Sequence, residues 1–537
     1  MNAKRFTTGF VSVVAALGLA ACSGTVAADT TGTTVTSTST ASSAAETGAT
    51  AQQVSNTDAG TAASASSALL TDNADTHAQG DDVDYDAAEA STITLADGAS
   101  AASAESGVTI DGDTITISAP GTYLVSGSLS DGSLVVDSSA EGKVRLVLDG
   151  ADITNSAGAA VNVLAADEVV VVLAEGSSNS LADGSGYDTS AEDAPNAALF
   201  SMADLTIGGI GALSVTGNTA DGITSKDDLV ILGGTIKVTA ADDGIRGKDY
   251  LVITGGTLDV TATGGDALKS DNEDDDTVGY VRIDGGEVTL NAGDDGIHAE
   301  GDLGILGGTL TVTQSTEGLE GANLVIEGGA TSVTADDDGL NATQGTSSDS
   351  GGGGGMGGGG MSDDGSQLVI SGGTLVVNSG GDGLDSNGAV SITGGTTVVS
   401  GPTGNGNGSL DANGGITVDG GTLLAAGSAG MAEAPDSASQ QGWLQLNFTS
   451  PVAAGQTIQV SSGDEVIASY TTVKDVYNLV LAADGLESGQ TYAVSIGGTL
   501  ADESVGTFSL GGSAEGATSA GEVTAGQATG GGMGGRP

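Results

Sequence analysis

A pair of adjacent glycines recurs along this 537-residue chain at a nearly constant interval, and this repeat constrains the fold more than any other feature. The pairs begin at residues 233, 255, 285, 307, 328, 372, 394 and 420, with spacings of 22, 30, 22, 21, 44, 22 and 26. The basic period is therefore about 22 residues, with insertions in some copies. Such a period indicates a solenoid, in which each short unit buries its apolar face against its neighbours.

Each repeat contains three short apolar patterns, and no helical period occurs in the body of the chain. Leu229 and Ile231 begin a series of alternating apolar positions, Ile236 and Val238 begin a second, and a single residue such as Ile245 marks the third. Alternation with a period of two places these residues on the inner face of strands, and the glycine pairs suit sharp turns with positive φ. The sequence therefore predicts an all-β, right-handed parallel β-helix with about 22 residues and three strands per coil.

Composition divides the rest of the chain. Lys4 and Arg5 precede an apolar run that ends in Leu-Ala-Ala-Cys22, which resembles a bacterial lipobox and implies cleavage before Cys22 and lipidation of its thiol. An ordinary signal peptide is the alternative. The predicted segments are a lipoprotein signal at 1–21, a disordered Ser/Thr/Ala-rich tether at 22–90, the β-helix at 91–430 with a Gly-rich loop at 343–366, a small antiparallel β cap at 440–510, and a disordered Gly-rich tail at 511–537. We expect a monomer at the outer face of a bacterial membrane, which it contacts only through its lipid anchor.

The charge of the chain restricts its partners. Asp and Glu outnumber Lys and Arg by 70 to 12, which gives a formal net charge of −58. Nucleic acid and anionic membranes would be repelled by such a chain, whereas cations would be attracted. Solubility of a secreted protein explains much of the scattered charge.

The acids are also ordered, because aligned repeats place them in one column. Its members, with the acids that precede some of them, are Asp221, Asp242, Asp243, Asp266, Asp294, Asp295, Glu317, Asp337 and Asp338, and the column continues to Asp382. Carboxylates stacked about 4.8 Å apart repel one another by roughly 1 kcal/mol in water and more near a protein surface. Turn chemistry explains Asp before Gly, but Ca²⁺, which takes six to eight oxygen ligands, explains the column better. We expect Ca²⁺ between coils.

The few cations cluster beside this column. The predicted ligand-binding residues are Lys226, Arg246, Lys248, Tyr250, Lys269, Tyr280, Arg282 and His298. Tyr250 and Tyr280 fall in one column and are expected to stack outward, which would give an aromatic platform beside positive charge. Sugar rings stack on such platforms and uronate carboxylates pair with Lys or Arg. The alternative is that the cations merely neutralise neighbouring acids.

Four stretches carry a resemblance to a known family: Gly121–Gly127, Val144–Asn155, Asp221–Leu229 and Asp242–Asp249. They resemble the β-helical carbohydrate-binding proteins of bacterial surfaces, which bind calcium and polygalacturonate without known catalysis. The resemblance implies Ca²⁺ at the Asp-Asp-Gly positions and a non-catalytic, Ca²⁺-dependent binder of acidic polysaccharide.

Two other functions remain open, a β-helix lyase or hydrolase acting on uronate polymers and a structural adhesin stiffened by Ca²⁺. Catalysis has less support, because the only histidines are His77 and His298 and no Ser/His/Asp triad can be assembled from the body of the repeat.

Overall fold

The computed structural model describes residues 68–104, 106–191, 193–344 and 363–526. The predicted signal, Cys22 and most of the predicted tether and Gly-rich loop lie outside these ranges. In the described residues no helix is long and apolar enough to cross a bilayer.

The first strands form the N-terminal end of a solenoid. They are β1 (Ser91–Leu95), β2 (Ala101–Ala102), β3 (Val108–Asp111), β4 (Thr114–Ile117), β5 (Gly121–Leu129), β6 (Ser133–Asp137), β7 (Lys143–Asn155), β8 (Val161–Ala165), β9 (Glu168–Leu173), β10 (Ser178–Asp183) and β11 (Ala197–Ser201). Strands β1 and β2 pair antiparallel, as do β3 and β4, and the other strands of this group pair parallel.

Regular coils follow, each built from three strands. They are β12 (Asp204–Gly209), β13 (Ala212–Gly217), β14 (Asp221–Ser225), β15 (Asp228–Ile231), β16 (Thr235–Ala240), β17 (Ile245–Gly247), β18 (Tyr250–Ile253), β19 (Thr257–Ala262), β20 (Leu268–Ser270), β21 (Tyr280–Ile283), β22 (Glu287–Asn291), β23 (Ile297–Ala299), β24 (Asp302–Ile305), β25 (Thr309–Gln314), β26 (Leu319–Gly321), β27 (Asn323–Ile326), β28 (Ala330–Ala335), β29 (Leu340–Ala342), β30 (Gln367–Ile370), β31 (Thr374–Ser379), β32 (Leu384–Ser386), β33 (Ala389–Ile392), β34 (Thr396–Ser400), β35 (Leu410–Ala412), β36 (Ile416–Val418) and β37 (Thr422–Gly427).

These strands stack in register as the repeat predicts. The first and second strands of the coils share a 26-stranded sheet, and the third strands form a separate 13-stranded sheet. Leu229 pairs with Leu251, Ile236 with Leu258 and Ile245 with Leu268, all in parallel. All-β architecture and long parallel sheets are therefore confirmed, and three strands per coil is confirmed in part, because the last described coil contains only β36 and β37.

The inward positions form one continuous core. Leu229, Ile231, Ile236, Val238 and Ile245 are all buried in it. Burial of each such side chain contributes roughly 1.5–3 kcal/mol, and the stacking of identical apolar residues extends this contribution from coil to coil. The second glycine of each pair has positive φ, for example 105° at Gly234 and 97° at Gly256, which is why glycine recurs there.

Residues 68–90, here called the strap, differ from the predicted tether. Ala74 donates a backbone hydrogen bond to the carbonyl of Thr277 (2.8 Å), and Tyr280 donates its hydroxyl to the carbonyl of Ala74 (2.8 Å). The outward residues Val230 and Val252 are buried with the tyrosines in a second apolar cluster against Ala78. An outer sheet face rich in valine and tyrosine offers the strap apolar area that the composition of residues 22–90 did not reveal.

The C-terminal end is closed by β38 (Trp443–Val452), β39 (Thr457–Ser462), β40 (Glu465–Thr471), β41 (Val476–Ala482), β42 (Thr491–Ile496), β43 (Phe508–Leu510) and β44 (Thr518–Thr524). Strand β41 pairs antiparallel with both β37 and β38, and the other five form an antiparallel sheet. The predicted cap is thus present, but it extends beyond residue 510, since β44 pairs with β42. It covers the edge of β37, which would otherwise expose unpaired backbone groups.

Candidate functional site

The acidic column forms a ladder of hydrogen bonds that runs beside the third strands. The backbone N–H of Asp243 donates to Oδ1 of Asp221 (3.3 Å), that of Asp266 to Oδ1 of Asp243 (3.0 Å), and that of Asp295 to Oδ1 of Asp266 (2.9 Å). All four side chains are buried. Asp221, Asp243 and Asp266 therefore each satisfy a backbone N–H of the next coil, which is a structural role that turn chemistry described only in general terms.

The predicted acids divide into two groups by exposure. Asp242, Asp294 and Asp337, the first members of the acid pairs, are exposed at the turns. The ladder acids are shielded, and burial raises the pKa of Asp221 to about 7 and that of Asp338 to about 8. A buried carboxyl with a raised pKa is stabilised by a proton or by a nearby cation.

Cations meet this need in the first half of the column. Lys269 Nζ lies 2.7 Å from Oδ2 of Asp266 and 3.5 Å from Oδ2 of Asp243. Arg246 holds Asp271 with Nε at 3.1 Å and a terminal nitrogen at 2.6 Å. The acidic insertion at 271–276 thus supplies a carboxylate to the basic column.

His298 continues the same column, since it pairs in register with Lys269. Its Nδ1 lies 3.0 Å from Oε2 of Glu320 and 3.4 Å from Oδ2 of Asp295. Burial alone would lower the pKa of His298, but the hydrogen bonds to Asp295 and Glu320 raise it to about 10. His298 is therefore a cation at neutral pH. The ligand atoms of Asp295, His298 and Glu320 lie within 4.8 Å of one another, but a protonated imidazole does not bind a metal ion.

The remaining predicted cations are less available to a ligand than the sequence suggested. Arg282 turns back to Asp284, with Nε 2.8 Å from Oδ1. Lys226 and Lys248 are half-buried and have no ion pair with the residues that the structure describes. Burial, followed by the charge of Arg246, lowers the pKa of Lys226. The geometry thus agrees with the alternative in which most of these cations neutralise neighbouring acids.

The expectation of an exposed aromatic platform is wrong. Tyr250 and Tyr280 do stack in one column, with ring centroids 5.0 Å apart and planes inclined by 22°. They are, however, only 1% and 0% exposed, because the strap covers them. The backbone N–H of His77 donates to the Tyr250 hydroxyl at 2.8 Å, so a sugar ring has no access to either face of this pair.

A different surface appears where the column continues past His298. Register carries the central position of the third strand from His298 to Glu320, Asn341, Asp385 and Asp411. We call the carboxylates Glu317, Asp338, Asp382, Asp385 and Asp411, together with Asn341, the acidic face. Among the described residues no Lys, Arg or His forms an ion pair with these carboxylates.

The electrostatics of the acidic face differ from those of the first coils. Burial, followed by the charges of Asp382 and Asp411, raises the pKa of Asp385 to about 7. Burial also raises the pKa of Asp382 to about 6, even though Oδ1 of this residue accepts a hydrogen bond from the backbone N–H of Gly408. Neighbouring acids here raise one another's pKa, since no basic side chain among the described residues forms an ion pair with them.

One polar atom of the acidic face has no partner. Asn341 donates from Nδ2 to Oε2 of Glu317 at 2.9 Å, whereas its buried Oδ1 has no hydrogen-bond partner among the described residues. Buried polar atoms are usually satisfied, so an orphaned amide oxygen among carboxylates marks a place suited to a cation. Asn341, Asp385 and Asp411 were not predicted, because the column of Arg246 was followed only to His298. Continuing the 22-residue register would have reached them.

Parts of the chain are similar to proteins with carbohydrate-related descriptions. A curated protein of Acetivibrio thermocellus named carbohydrate-binding domain-containing protein is 38% identical over 136 residues, which are 25% of this chain. The chain spans only about half (48%) of the length of that relative. A solved structure described as the polysaccharide lyase-like protein from C. thermocellum, in a gadolinium derivative, has 26% identity and a TM-score of 0.39, covering 56% of this chain and 96% of the other. Residues 111–365 match the model of a family described as carbohydrate-binding domain-containing protein. This range contains the ladder, the paired cations and the first members of the acidic face.

Proposed function

We propose that the protein is a non-catalytic, Ca²⁺-dependent binder of an acidic polysaccharide of the polygalacturonate type. The observation that carries this proposal is the change along one column of the solenoid, from acids paired with Arg246, Lys269 and His298 to the acidic face, where no such partner lies among the described residues. In the first half, protein cations neutralise the carboxylates. In the second half, that role is left to a cation from solution.

The oxygen donors of the acidic face are of the type that Ca²⁺ binds, and its carboxylates would have to approach one another around the ion, because no three of them lie within 4.8 Å among the described residues. This ion takes six to eight oxygen ligands from carboxylates and from amide and backbone carbonyls, and the face presents Glu317, Asp338, Asp382, Asp385 and Asp411 together with the orphaned Oδ1 of Asn341. A hard, oxygen-only site disfavours softer metals. Asp338 and Asp382 also accept a ladder hydrogen bond at Oδ1. The difference lies at Oδ2, which Lys269 engages in Asp243 and Asp266 but which no basic side chain among the described residues engages in the acidic face.

The net charge explains why the ion would be needed for the ligand. A chain with a net charge of −58 repels a polyuronate at long range. Most of the positive and aromatic surface expected to recognise the ligand is paired or covered, with Lys226 and Lys248 half-buried and outside the ion pairs of the described residues. Ca²⁺ on the acidic face would neutralise the carboxylates of the protein and accept those of the polysaccharide. The match of residues 111–365 to a carbohydrate-binding family supports a glycan as the ligand class.

The shape of the acidic face suits a chain molecule. Its residues lie on successive coils of a parallel sheet, and such coils are spaced about 4.8 Å apart. The result is an extended row along the solenoid, which favours repeated contacts with a polymer over enclosure of a small molecule. Lipidation at Cys22 would place this row at the outer surface of the cell.

The function is tested by retention of the full chain on immobilised polygalacturonate, with Ca²⁺ and with EGTA. We expect retention with Ca²⁺, loss of retention with EGTA, and no retention on a neutral galactan of matched length. Release of unsaturated or reducing-end products in the same incubation would replace the proposal with a lyase or hydrolase. Equal retention in EGTA would refute the role of Ca²⁺, and failure to bind any anionic glycan would favour the adhesin.

A further inference from the structure

The strap follows one column of side chains on the outer face of the 26-stranded sheet. The column lies at the starts of successive first strands and consists of Lys143, Glu168, Asp204, Asp228, Tyr250 and Tyr280. Asp82 of the strap forms an ion pair with Lys143, and Ala74 accepts a hydrogen bond from Tyr280. His77 lies between these two contacts, opposite Asp204 and Asp228.

The imidazole of His77 is held in one orientation. Its Nε2 lies 3.0 Å from Oγ1 of Thr206, a side chain that is 0% exposed. The tautomer with Nε2–H donating to this hydroxyl leaves Nδ1 with its lone pair, which is the form that a metal ion would bind. A second hydrogen bond of this kind on the ring is the usual arrangement in metal-binding histidines, because it fixes the tautomer.

Nδ1 of His77 faces the Tyr250 hydroxyl, 3.0 Å away, and two carboxylates, so a metal ion at Nδ1 would replace the hydrogen bond with Tyr250. Nδ1 of His77 lies 3.4 Å from Oδ2 of Asp228, and ligand atoms of His77, Asp204 and Asp228 all lie within 4.8 Å of one another. Tetrahedral Zn²⁺ with bonds of about 2.0–2.2 Å requires ligand atoms about 3.3–3.5 Å apart. The pair formed by His77 and Asp228 already has this separation, and Asp204 needs to approach by only about 1.5 Å or less.

The local charge also favours a dication. Glu168, Asp204 and Asp228 stack on adjacent coils, and Lys143 is shared between Glu168 and Asp82. Within the described chain, His77 is the one basic side chain within ion-pairing distance of Asp228, and the neutral form that binds a metal at Nδ1 leaves that carboxylate without a positive partner.

We propose that His77, Asp204 and Asp228 form a binding site for a divalent transition-metal ion of the Zn²⁺ class, which fastens the N-terminal strap to the solenoid. One imidazole and two carboxylates suit Zn²⁺ or Co²⁺, whereas Ca²⁺ prefers oxygen alone. The site uses the outer face of the 26-stranded sheet, whereas the acidic face belongs to the 13-stranded sheet. It therefore does not depend on the proposed polysaccharide function.

The proposal is tested by titrating the full chain carrying Cys22→Ser, which removes the only thiol, with Co²⁺ in excess Ca²⁺. The Ca²⁺ occupies sites made of oxygen alone, and Co²⁺ bound to nitrogen and oxygen is detected by its visible absorption. We expect one such site. His77→Gln should weaken it at least tenfold, whereas His298→Gln, the matched control with the other histidine, should leave it unchanged.

A second readout separates loss of the metal from loss of the strap. Thr206→Val keeps the ligands and the volume but removes the hydrogen-bond partner of Nε2, and a change of this type weakens metal binding about 10–100-fold. Zn²⁺ should also slow hydrogen exchange at residues 74–84 in the parent chain but not in His77→Gln. Absence of Co²⁺ binding, its retention in His77→Gln, or its loss in His298→Gln alone would overturn the proposal.

Discussion

Replacement of Asp221 by asparagine should stabilise the solenoid at pH 8 and have little effect at pH 4. Asp221 is 1% exposed, and burial, followed by the charge of Asp243, raises its pKa from 3.8 to about 7. Below pH 4 the folded and unfolded states both bind the proton, so the free energy of unfolding does not depend on this group. Between pH 4 and 7 only the folded state retains it, and stability falls as the pH rises.

The magnitude follows from the size of the shift. About three pKa units correspond to about 4 kcal/mol at 1.36 kcal/mol per unit. Asp243 gains from the same substitution because it loses a negative neighbour, whereas relaxation around the ionised carboxyl reduces the effect. We expect the substitution to raise the free energy of unfolding by about 2–4 kcal/mol at pH 8.

The local contacts allow asparagine at this position. Oδ1 can still accept the hydrogen bond from the N–H of Asp243. Asn196 now donates from Nδ2 to Oδ2 of Asp221 at 2.6 Å, and its own Oδ1 has no partner among the described residues. A flip of the Asn196 amide would therefore satisfy the new NH₂ group at position 221.

Urea unfolding followed by circular dichroism at pH 4, 6 and 8 measures the effect. Asp221→Ala is the control: it also removes the ionisable group but leaves the N–H of Asp243 without its acceptor, so it should be less stable than Asp221→Asn by about 1–3 kcal/mol at every pH. The reasoning is refuted if Asp221→Asn gives no gain at pH 8, or if its effect is the same at pH 4 and pH 8.

Two further substitutions test the turns and the strap. Gly256→Ala should destabilise the solenoid by about 1–2 kcal/mol or more, because φ is 97° and the added Cβ would lie 2.8 Å from the carbonyl oxygen of Gly234. The control Gly255→Ala, with a nearest contact of 3.3 Å and no positive φ, should be less destabilising in the same urea assay. Equal destabilisation by the two substitutions would contradict the assigned turn. Tyr250→Phe removes the acceptor for the N–H of His77 and should speed hydrogen exchange in the strap about fivefold, equivalent to about 1 kcal/mol. Tyr85→Phe, at an exposed position, should leave the exchange rate unchanged. An unchanged rate in Tyr250→Phe would mean that the hydroxyl does not hold the strap.

The fold could be predicted from the sequence because one local rule repeats. Inward residues such as Leu229 and Ile236 recur every 22 residues, and the turn glycines need positive φ, so each coil specifies the same geometry as its neighbour. Agreement between pattern and turn chemistry at every repeat leaves few alternatives. The same regularity predicted the acidic column.

The strap could not be predicted in the same way. Residues 68–90 contain few apolar side chains, and their attachment depends on single contacts, such as those of His77 and Asp82, with coils far along the chain. Composition describes how much apolar area a segment carries, not whether a sheet face elsewhere matches it. For this reason the tyrosines were expected on the surface and are found beneath the strap.

The candidate site was predicted in part. The order of the cations Arg246, Lys269 and His298 in one column was predicted correctly, but their ion pairs depend on side-chain geometry that a sequence pattern does not give. The acids beyond His298 follow the same register. They indicate a cation site only once the structure shows that they have no basic partner among the described residues. That comparison between the two halves of one column required the structure.

The central claim, that the acidic face binds Ca²⁺ and through it the polysaccharide, is tested most directly by Asp385→Asn combined with Asp411→Asn. The matched control is Asp259→Asn, which replaces an exposed acid on β19 that pairs with Lys237 on β16. Such surface pairs contribute at most about 1 kcal/mol. Calorimetric titration with Ca²⁺, followed by titration with polygalacturonate at a fixed Ca²⁺ concentration, gives both affinities for each variant. We predict that the double variant loses at least tenfold in each affinity while the control is unchanged; unaltered binding by the double variant would contradict the assignment.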